Sequence, residues 1–349
     1  MIEAHSETML AARLHGIRDV RVEHLARPVP GPEQLLLKVC AVSLCGSDRH
    51  YYLEGGTGTA DLCAPLILGH EFAAAVVGDG GRPWGLEADT LVAVEPSHSC
   101  GRCEWCLRGD PNLCPDVHFA GSPPDVSGAL AEFTIAAPGE LFPLPPGWSP
   151  AHGALLEPLG VAIHALDLAH LRSMESVAIL GAGGIGLLML QVARLAGAGQ
   201  VFVVDPIPER GRTASRLGAD ATAARPEAVL DWTGGRGVDV VLEATDSAIA
   251  AAQAAEVVCV GGRLILAGIP DRNELVFRPT TLRRKGLTIK MVRRMKHTYP
   301  RAIRMVETGR VQLDPLITHT FTLDQTAAAF ACHAERRDGA LRVMVEMPG

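Results

Sequence analysis

Residues 177–190 read VAILGAGGIGLLML, and this run sets the architecture of the second half of the chain. Four apolar residues precede the pattern G-x-G-x-x-G, and an apolar helical run follows it. A strand, a glycine-rich turn and a helix in this order identify a dinucleotide fingerprint. Gly181 permits the tight turn, Gly183 lets the backbone approach a pyrophosphate, and Gly186 allows close packing of helix on strand. The helix N-terminus then offers free N–H groups to the phosphates.

Asp205 lies 19 residues beyond Gly186, at the end of a second apolar strand. A carboxylate there can accept both hydroxyls of the adenosine ribose and would repel a 2′-phosphate, so we predict NAD rather than NADP. Arg210 could pair with such a phosphate, but beside Asp205 we expect it to pack on the adenine. The other predicted cofactor contacts in this part of the chain are Gly184, Ile185, Ala267, Gly268 and Ile269.

The segments around this fingerprint predict the fold class. Further strands, 238–242 and 263–266, alternate with alanine-rich helical stretches, which indicates a parallel, doubly wound sheet in an α/β protein. The first third instead contains short strand-like runs, such as 35–39 and 90–94, between proline and glycine turns. A compact β-rich domain with long loops therefore precedes the dinucleotide-binding domain.

Four cysteines lie in one short loop with the spacing C-x2-C-x2-C-x7-C: Cys100, Cys103, Cys106 and Cys114. Such a cluster suits tetrahedral Zn²⁺ with four sulfur ligands, and closed sites of this kind are structural. Two disulfides are the alternative. We favour zinc, because nothing else in the sequence indicates an oxidising compartment.

Size and composition restrict the function further. A chain of 349 residues exceeds the usual limit for one core, so two domains are expected. The net charge of −7 and the absence of a basic run argue against a nucleic-acid partner. The N-terminal residues lack an apolar signal region, and the longest apolar stretch is interrupted by glycines and too short to span a bilayer. We therefore expect a cytoplasmic protein with no membrane partner.

A second constellation indicates a catalytic metal. Such a zinc needs three protein ligands and one open position. Cys45 and His70 offer a thiolate and an imidazole, and either Glu71 or Glu157 can supply the carboxylate. The sequence leaves open which of the two is the third ligand.

The metal implies the chemistry. Zinc lowers the pKa of a bound hydroxyl, so a secondary alcohol can lose its proton near neutral pH and release a hydride to a nicotinamide. Ser47 and His50 can form the proton path, since a hydroxyl receives the proton and an imidazole passes it to solvent.

These residues resemble the zinc-dependent medium-chain dehydrogenases, and among them the sorbitol (polyol) dehydrogenases. The resemblance rests on seven motifs: CGSDRHYY at 45–52, LGHE at 68–71, the four-cysteine loop, FAGSPPDVSG at 119–128, LLEPLGVAIHA at 155–165, GAGGIG at 181–186 and ITHTF at 317–321. It implies a GroES-like catalytic domain at 1–160 and 298–349, with a Rossmann NAD-binding domain at 161–297. It also implies two zinc ions per chain, one catalytic and one structural, NAD, a small alcohol substrate and a homotetramer or dimer.

The resemblance also assigns residues. Cys45, His70 and Glu71 match the catalytic zinc ligands, and Glu157 would hold the zinc-bound water or exchange with it. The residues that match the polyol site are Ser47, Tyr51, Phe119, Glu157 and Arg294. The resemblance implies that Arg294 also contacts the cofactor. Met295 replaces the family's aromatic residue, so the substrate could instead be another vicinal diol, a cyclitol or an amino alcohol. Two alternatives stay open: an L-threonine or amino-alcohol 3-dehydrogenase, and a non-catalytic regulator that binds NAD.

Overall fold

The computed structural model describes residues 7–58, 60–123 and 126–348. Residues 1–6 of the N-terminal segment, and Pro124 and Asp125 of the 119–128 motif, lie outside this part of the chain. The chain divides into two units: the first extends to Glu157 and resumes at Ile317, and the second is Pro158–Leu316. Within the described part, no helix combines the length and apolar character needed to cross a bilayer.

The first unit is built mainly of antiparallel strands. Its strands before the division are β1 (Thr8–Gly16), β2 (Asp19–Ala26), β3 (Leu35–Ser43), β4 (Gly56–Thr57), β5 (Ala60–Asp61), β6 (Leu66–Ile67), β7 (Glu71–Val76), β8 (Leu91–Val94), β9 (Ser97–His98), β10 (His118–Phe119), β11 (Phe133–Ala136) and β12 (Leu141–Pro143). Its helices there are α1 (Gly46–Glu54), α2 (Glu104–Leu107) and α3 (Pro150–Ala154). Helix α4 (Leu156–Ala169) begins at the division.

The second unit is a parallel sheet with helices between its strands. The strands are β13 (Ser176–Leu180), β14 (Gln200–Val204), β15 (Ala221–Ala223), β16 (Val238–Glu243), β17 (Val258–Leu266) and β18 (Thr288–Met291). The helices are α5 (Gly184–Leu195), α6 (Pro208–Arg216), α7 (Ala228–Trp232), α8 (Ala250–Val257), α9 (Pro279–Lys285) and α10 (Tyr299–Glu307). The predicted strands and the helix after the fingerprint are confirmed.

The strand order of this sheet is β15-β14-β13-β16-β17-β18, and every pair is parallel. This is the dinucleotide-binding order 3-2-1-4-5-6, in which the ligand crevice lies outside the carboxyl ends of the strands where the order reverses. That point falls between β13 and β16. The predicted doubly wound sheet is therefore confirmed, and its crevice is at the fingerprint.

The chain then returns to the first unit through β19 (Ile317–Thr322), α11 (Thr326–Glu335) and β20 (Arg342–Glu346). The large sheet of this unit has the order β12-β8-β7-β3-β20-β19, with β11 also paired to β3. β20 is antiparallel to β3, and Met344 is opposite Ser43. The C-terminal strand therefore lies directly beside the strand that leads into Cys45.

The predicted domain boundaries differ from the observed division. The sequence prediction assigns 298–316 to the first domain, whereas these residues belong to the second unit. Their contacts give the reason: Arg301 forms an ion pair with Asp167 at 2.6 Å, and the Gln191 side-chain amide bonds both the N–H and the carbonyl of Gln312. Polar contacts between distant segments, which the sequence does not reveal, thus hold α10 in the second unit.

Candidate functional site: a metal-binding unit and a dinucleotide-binding unit

The four-cysteine loop lies between β9 and β10 and brings its sulfur atoms together. The Sγ of Cys114 is 3.5 Å from that of Cys100 and 3.9 Å from that of Cys103. A tetrahedral zinc with Zn–S bonds of about 2.3 Å has sulfur–sulfur edges of about 3.8 Å. None of the four is joined in a disulfide in this structure, because these sulfur–sulfur distances exceed the S–S bond length of about 2.05 Å. The donor set fits a closed zinc site.

Backbone N–H groups of the same loop support these sulfurs. The N–H of Cys100 donates to the Cys114 sulfur, and that of Cys106 donates to the Cys103 sulfur. The backbone N–H groups of Arg102 and Cys103 donate to the Cys100 sulfur, and these bonds are the main reason that the pKa of this thiol is lowered to about 6. These N–H donors favour the thiolate of Cys100, which is the form that binds metal, whereas the pKa of the Cys103 thiol is raised.

The second metal constellation is assembled by strand pairing and a helix start. Cys45 is the residue before α1, and Glu71 begins β7 opposite Ser43 of β3. The donor atoms of Cys45, His70 and Glu71 all lie within 4.8 Å of one another, and both His70 and Glu71 are buried. The structure thus brings together the three residues predicted as catalytic zinc ligands.

Electrostatics around this constellation favour a bound cation. Burial, followed by the charges of Glu71 and Asp48, raises the pKa of the Cys45 thiol well above its usual value. Burial and the charge of Glu71 likewise raise the pKa of Glu157 to about 8. These groups resist ionisation together, because their anionic forms repel in a buried setting. A divalent cation would offset that repulsion, so the residues fit zinc.

The two candidate carboxylates occupy different places. Glu71 belongs to the compact donor set, whereas Glu157, near the start of α4, is buried close enough for the charge of Glu71 to raise its pKa. Both oxygens of Glu71 also accept from Nη1 of Arg342 at 2.8 Å. The geometry therefore favours Glu71 as the ligand and leaves Glu157 beside the ligand set.

Helix α1 carries the predicted proton path and part of the predicted substrate site. Ser47 is half-buried on its first turn, and the hydroxyl of Tyr51 accepts from Thr57 Oγ1 at 3.2 Å. The imidazole of His50 is only 4% exposed, and its Nδ1 is 3.1 Å from a carboxylate oxygen of Glu54, which is 44% exposed. The sequence predicts that His50 passes the proton to solvent, but the buried imidazole does not reach solvent directly. Glu54, one helical turn later, provides a polar group at the surface.

Phe119 also lies at the metal constellation. Its ring centroid is 5.0 Å from that of His70, with an angle of 50° between the ring planes. Because Phe119 belongs to β10, which pairs with β9, the strand next to the four-cysteine loop places an aromatic ring against a predicted zinc ligand. Its role in lining the substrate site stays a prediction.

The fingerprint in the second unit has the geometry that its glycines predict. Gly181 has a φ of 96°, and a Cβ there would meet the Ala244 carbonyl at 2.7 Å. A Cβ at Gly186 would lie 1.8 Å from the Gly181 carbonyl. Gly183 is the residue before α5, and Gly184 and Ile185 form its first turn. The N–H groups of this turn thus lie at the carboxyl edge of the sheet.

Asp205 follows β14 and is already part of this turn. Its Oδ2 accepts from the N–H of Ala182 at 2.8 Å, and its Oδ1 accepts from the N–H of Ile207 at 2.9 Å. Nη1 of Arg210 is 3.8 Å from Oδ2, so the arginine lies beside the carboxylate as well. Each carboxylate oxygen has a second lone pair for a ribose hydroxyl.

The other predicted contacts follow neighbouring strands of this sheet. The segment Ala267–Ile269 comes directly after β17, and the N–H of Ala267 and that of Gly268 donate to the Glu243 carbonyl. Arg294 follows β18 with a φ of 56°. Met295 is buried, and its sulfur lies so close to Gly160 that a Cβ on that glycine would be 2.5 Å from it. Met295 thus packs inside the second unit.

Comparison with known proteins supports both halves of this picture. Residues 31–146 match the alcohol dehydrogenase GroES-like domain, and residues 184–308 match the zinc-binding dehydrogenase family. Sorbitol dehydrogenase from Bacillus subtilis (strain 168) is 35% identical over 348 residues, which cover 97% of this chain and 97% of that protein. The chain belongs to the zinc-dependent medium-chain dehydrogenases.

Two further relatives of this dehydrogenase extend the comparison. L-idonate 5-dehydrogenase from Vitis vinifera is 31% identical, and the match covers 98% of this chain and 96% of that protein. The structure of a putative zinc-binding dehydrogenase from Sinorhizobium meliloti 1021, bound to NADP, is 32% identical with a TM-score of 0.87 and covers 97% of this chain and 99% of that one. These findings confirm the predicted resemblance, the fold class and a zinc-dependent oxidoreductase with a nicotinamide cofactor.

Three residues of the dehydrogenase's metal constellation were missed by sequence reasoning. Asp48 accepts from the N–H of Cys45 at 2.9 Å, and its Oδ1 is 3.8 Å from Nδ1 of His70. Arg342 pairs with Glu71, and His333 contacts the Cys45 carbonyl at 3.1 Å. Arg342 had a signal, since a charged residue inside the apolar strand LRVMV must find a buried partner. His333 had none, because its helix resembles any alanine-rich helix.

Proposed function

We propose that this dehydrogenase oxidises a secondary alcohol of a polyol, a cyclitol or a related vicinal diol to a ketone, with NAD as the hydride acceptor. One observation carries the proposal: Cys45, His70 and Glu71 present their donor atoms within 4.8 Å of one another. The same chain contains a complete dinucleotide fingerprint in its second unit. Similarity to a sorbitol dehydrogenase and an L-idonate 5-dehydrogenase supports a polyhydroxylated substrate.

When bound, zinc supplies a Lewis acid that lowers the pKa of a hydroxyl group, and NAD supplies the hydride acceptor. Cys45, His70 and Glu71 would hold the metal, and Asp48 and Arg342 would keep His70 and Glu71 in place. Glu157, buried beside the ligand set, would hold a water molecule or exchange as a ligand. The four cysteines of the loop would hold a second, structural zinc.

The proton path would begin at Ser47, which receives the proton of the substrate hydroxyl. His50 is three residues later on the same helix, so both side chains face the same side of α1. From His50 the proton would pass to solvent at Glu54, whose carboxylate is in contact with Nδ1. This route moves a proton out of a buried site without exposing the imidazole.

Substrate and cofactor specificity are proposed on the following residues. Tyr51, Phe119 and Arg294 would bind the polyol hydroxyls and carbon chain. Asp205 would accept the adenosine ribose hydroxyls and disfavour NADP, while Arg210 would pack on the adenine. The remaining proposed cofactor contacts are Gly181, Gly183, Gly184, Ile185, Gly186, Ala267, Gly268, Ile269 and Arg294.

We further propose that the first unit is the catalytic domain and the second the coenzyme domain. A cytoplasmic location is proposed from the thiols, because the cysteines are free and a reducing compartment keeps them so. A homo-oligomer, tetrameric or dimeric, is proposed from the family resemblance alone.

A turnover screen tests the proposed function. Zinc-loaded protein is incubated with NAD and a panel of polyols, cyclitols, L-threonine and simple amino alcohols, and NADH formation is recorded. Turnover of a polyol or cyclitol, lost after chelation and restored by zinc, is expected. Turnover of L-threonine alone would replace the proposal by a threonine 3-dehydrogenase, and NAD binding with no turnover would replace it by a regulator.

A further inference from the structure

The imidazole of His333 contacts a predicted ligand of the catalytic zinc from a distant part of the chain. His333 is on α11, and its Nε2 is 3.1 Å from the carbonyl oxygen of Cys45, 288 residues away in sequence. A carbonyl oxygen only accepts hydrogen bonds, so Nε2 carries the hydrogen and donates it. The side chain therefore holds the backbone of Cys45 rather than its sulfur.

Other bonds show how the Cys45 backbone is otherwise held. Its N–H donates to Asp48 Oδ2 at 2.9 Å, and its carbonyl also accepts from the N–H of Arg49 at 3.2 Å. Both partners belong to α1 and move with it. The bond from His333 instead ties Cys45 to α11, and the bond from Arg49 Nε to the Ala334 carbonyl at 3.2 Å ties α1 to the same helix.

We infer that His333 is a positioning residue for the catalytic metal, because it fixes the backbone from which the Cys45 thiolate projects. The inference rests on the proposed function, since it concerns the same ligand set. Glu71 begins β7 and His70 is the residue before it, whereas Cys45 is the residue before α1. Keeping the three donor atoms within 4.8 Å thus requires that α1 keeps its position relative to the large sheet.

The C-terminal segment helps to hold the start of α1 in this position. β20 pairs with β3, and the N–H of Leu44 donates to the Val343 carbonyl at 2.9 Å. The bond from His333 extends this attachment by one residue, from Leu44 to the predicted metal ligand Cys45. Loss of a group that orients a metal ligand typically costs about 10–100-fold in metal affinity.

Metal retention tests the inference with the full-length, zinc-loaded protein. His333→Leu removes the donor, and His333→Gln keeps an amide N–H near the position of Nε2. His319→Leu is the matched control, because this histidine is half-buried on β19 and bonds only within its own strand to Thr318 among the contacts described. Each variant is dialysed against increasing chelator, and zinc content is measured together with the absorption spectrum after cobalt replaces zinc.

We expect His333→Leu to release one of its two metal ions at about 10–100-fold lower chelator concentration and to change the cobalt–thiolate absorption. His333→Gln should restore most of the affinity, and His319→Leu should match the unmodified protein. The four-cysteine site serves as an internal reference and should keep its metal in every variant. His333→Ala repeats the test with a smaller side chain should the leucine variant fail to fold.

Two results would overturn the role of His333 alone. One is unchanged retention of both metals in the leucine and alanine variants. The other is equal loss in the leucine and glutamine variants, which would mean that packing, not the hydrogen bond, matters. If the unmodified protein holds metal only at the four cysteines, the proposed function fails, and this inference fails with it.

Discussion

The two units of this dehydrogenase form their sites in opposite ways. In the second unit, the core of the dinucleotide site comes from one continuous stretch, 177–210, and consists of backbone N–H groups, glycines and one carboxylate. In the first unit, the metal constellation joins segments from Cys45 to Arg342, through strand pairing and buried charges. A local motif thus determines one site, and long-range pairing determines the other.

The two sites also depend on different interactions. Backbone donors at a helix start are already present in any helix, so the dinucleotide site needs mainly the absence of side chains. The metal constellation places thiol, carboxylate and guanidinium groups in a buried region, where each charge must have a partner. Substitutions should therefore disturb the two sites through different effects.

The largest effect is expected for Cys45→Ser. Loss of the thiolate removes one of three metal donors, so alcohol oxidation should fall below detection while NAD affinity stays nearly unchanged. Turnover and NAD binding by fluorescence titration measure the two sites separately. Wild-type turnover in this variant would exclude the metal mechanism. A parallel loss of NAD binding would show that the two sites depend on each other, contrary to the comparison.

Arg342→Met should destabilise the first unit strongly. In the metal-free protein, removing one partner of this buried ion pair should cost about 3–5 kcal/mol, because Glu71 would keep a buried charge without its partner. Denaturant unfolding can be followed by tryptophan fluorescence, since Trp84, Trp105 and Trp148 all lie in this unit.

The control for Arg342 is Arg337→Met, which removes an exposed pair with Glu335 and should leave the free energy of unfolding nearly unchanged. Similar costs for both variants would mean that burial does not give the Glu71–Arg342 pair its importance.

Alanine substitutions should distinguish the roles of two glycines of the fingerprint. At Gly186 a Cβ would lie 1.8 Å from the Gly181 carbonyl, so Gly186→Ala should lower the melting temperature of the second unit. At Gly183 the nearest atom, Nη1 of Arg210, is 3.9 Å away, so Gly183→Ala should melt normally. Yet it should weaken NAD binding at least about tenfold, or about 1.4 kcal/mol, because the backbone approaches the pyrophosphate there. Normal NAD affinity in Gly183→Ala would contradict this role.

The smallest effect is expected for Asp205→Asn. The amide keeps one acceptor for the N–H of Ala182 or Ile207 but removes the negative charge that would repel a 2′-phosphate. The preference for NAD over NADP should fall by several-fold to about tenfold, measured as the ratio of kcat/KM values. Asp231→Asn, an exposed change in the same unit, is the control. An unchanged ratio would remove Asp205 from cofactor selection.

The sequence alone was sufficient wherever a short segment carries its own geometry. The fingerprint, the four-cysteine loop and the alternation of strands and helices each depend on residues close together in the chain, so their spacing predicts their structure. The same holds for the approximate strand positions and for the candidate ligands Cys45 and His70, whereas the sequence left two glutamates open as the third ligand. Local backbone preference and ligand chemistry suffice for such features.

Only the tertiary structure decided what depends on distant contacts. It favoured Glu71 over Glu157 in the donor set, paired Glu71 with Arg342, tied Cys45 to His333, and kept 298–316 in the second unit. These outcomes follow from which strands pair and which charges meet in a buried region. A single sequence does not show them, because no local pattern records the partner of a side chain hundreds of residues away.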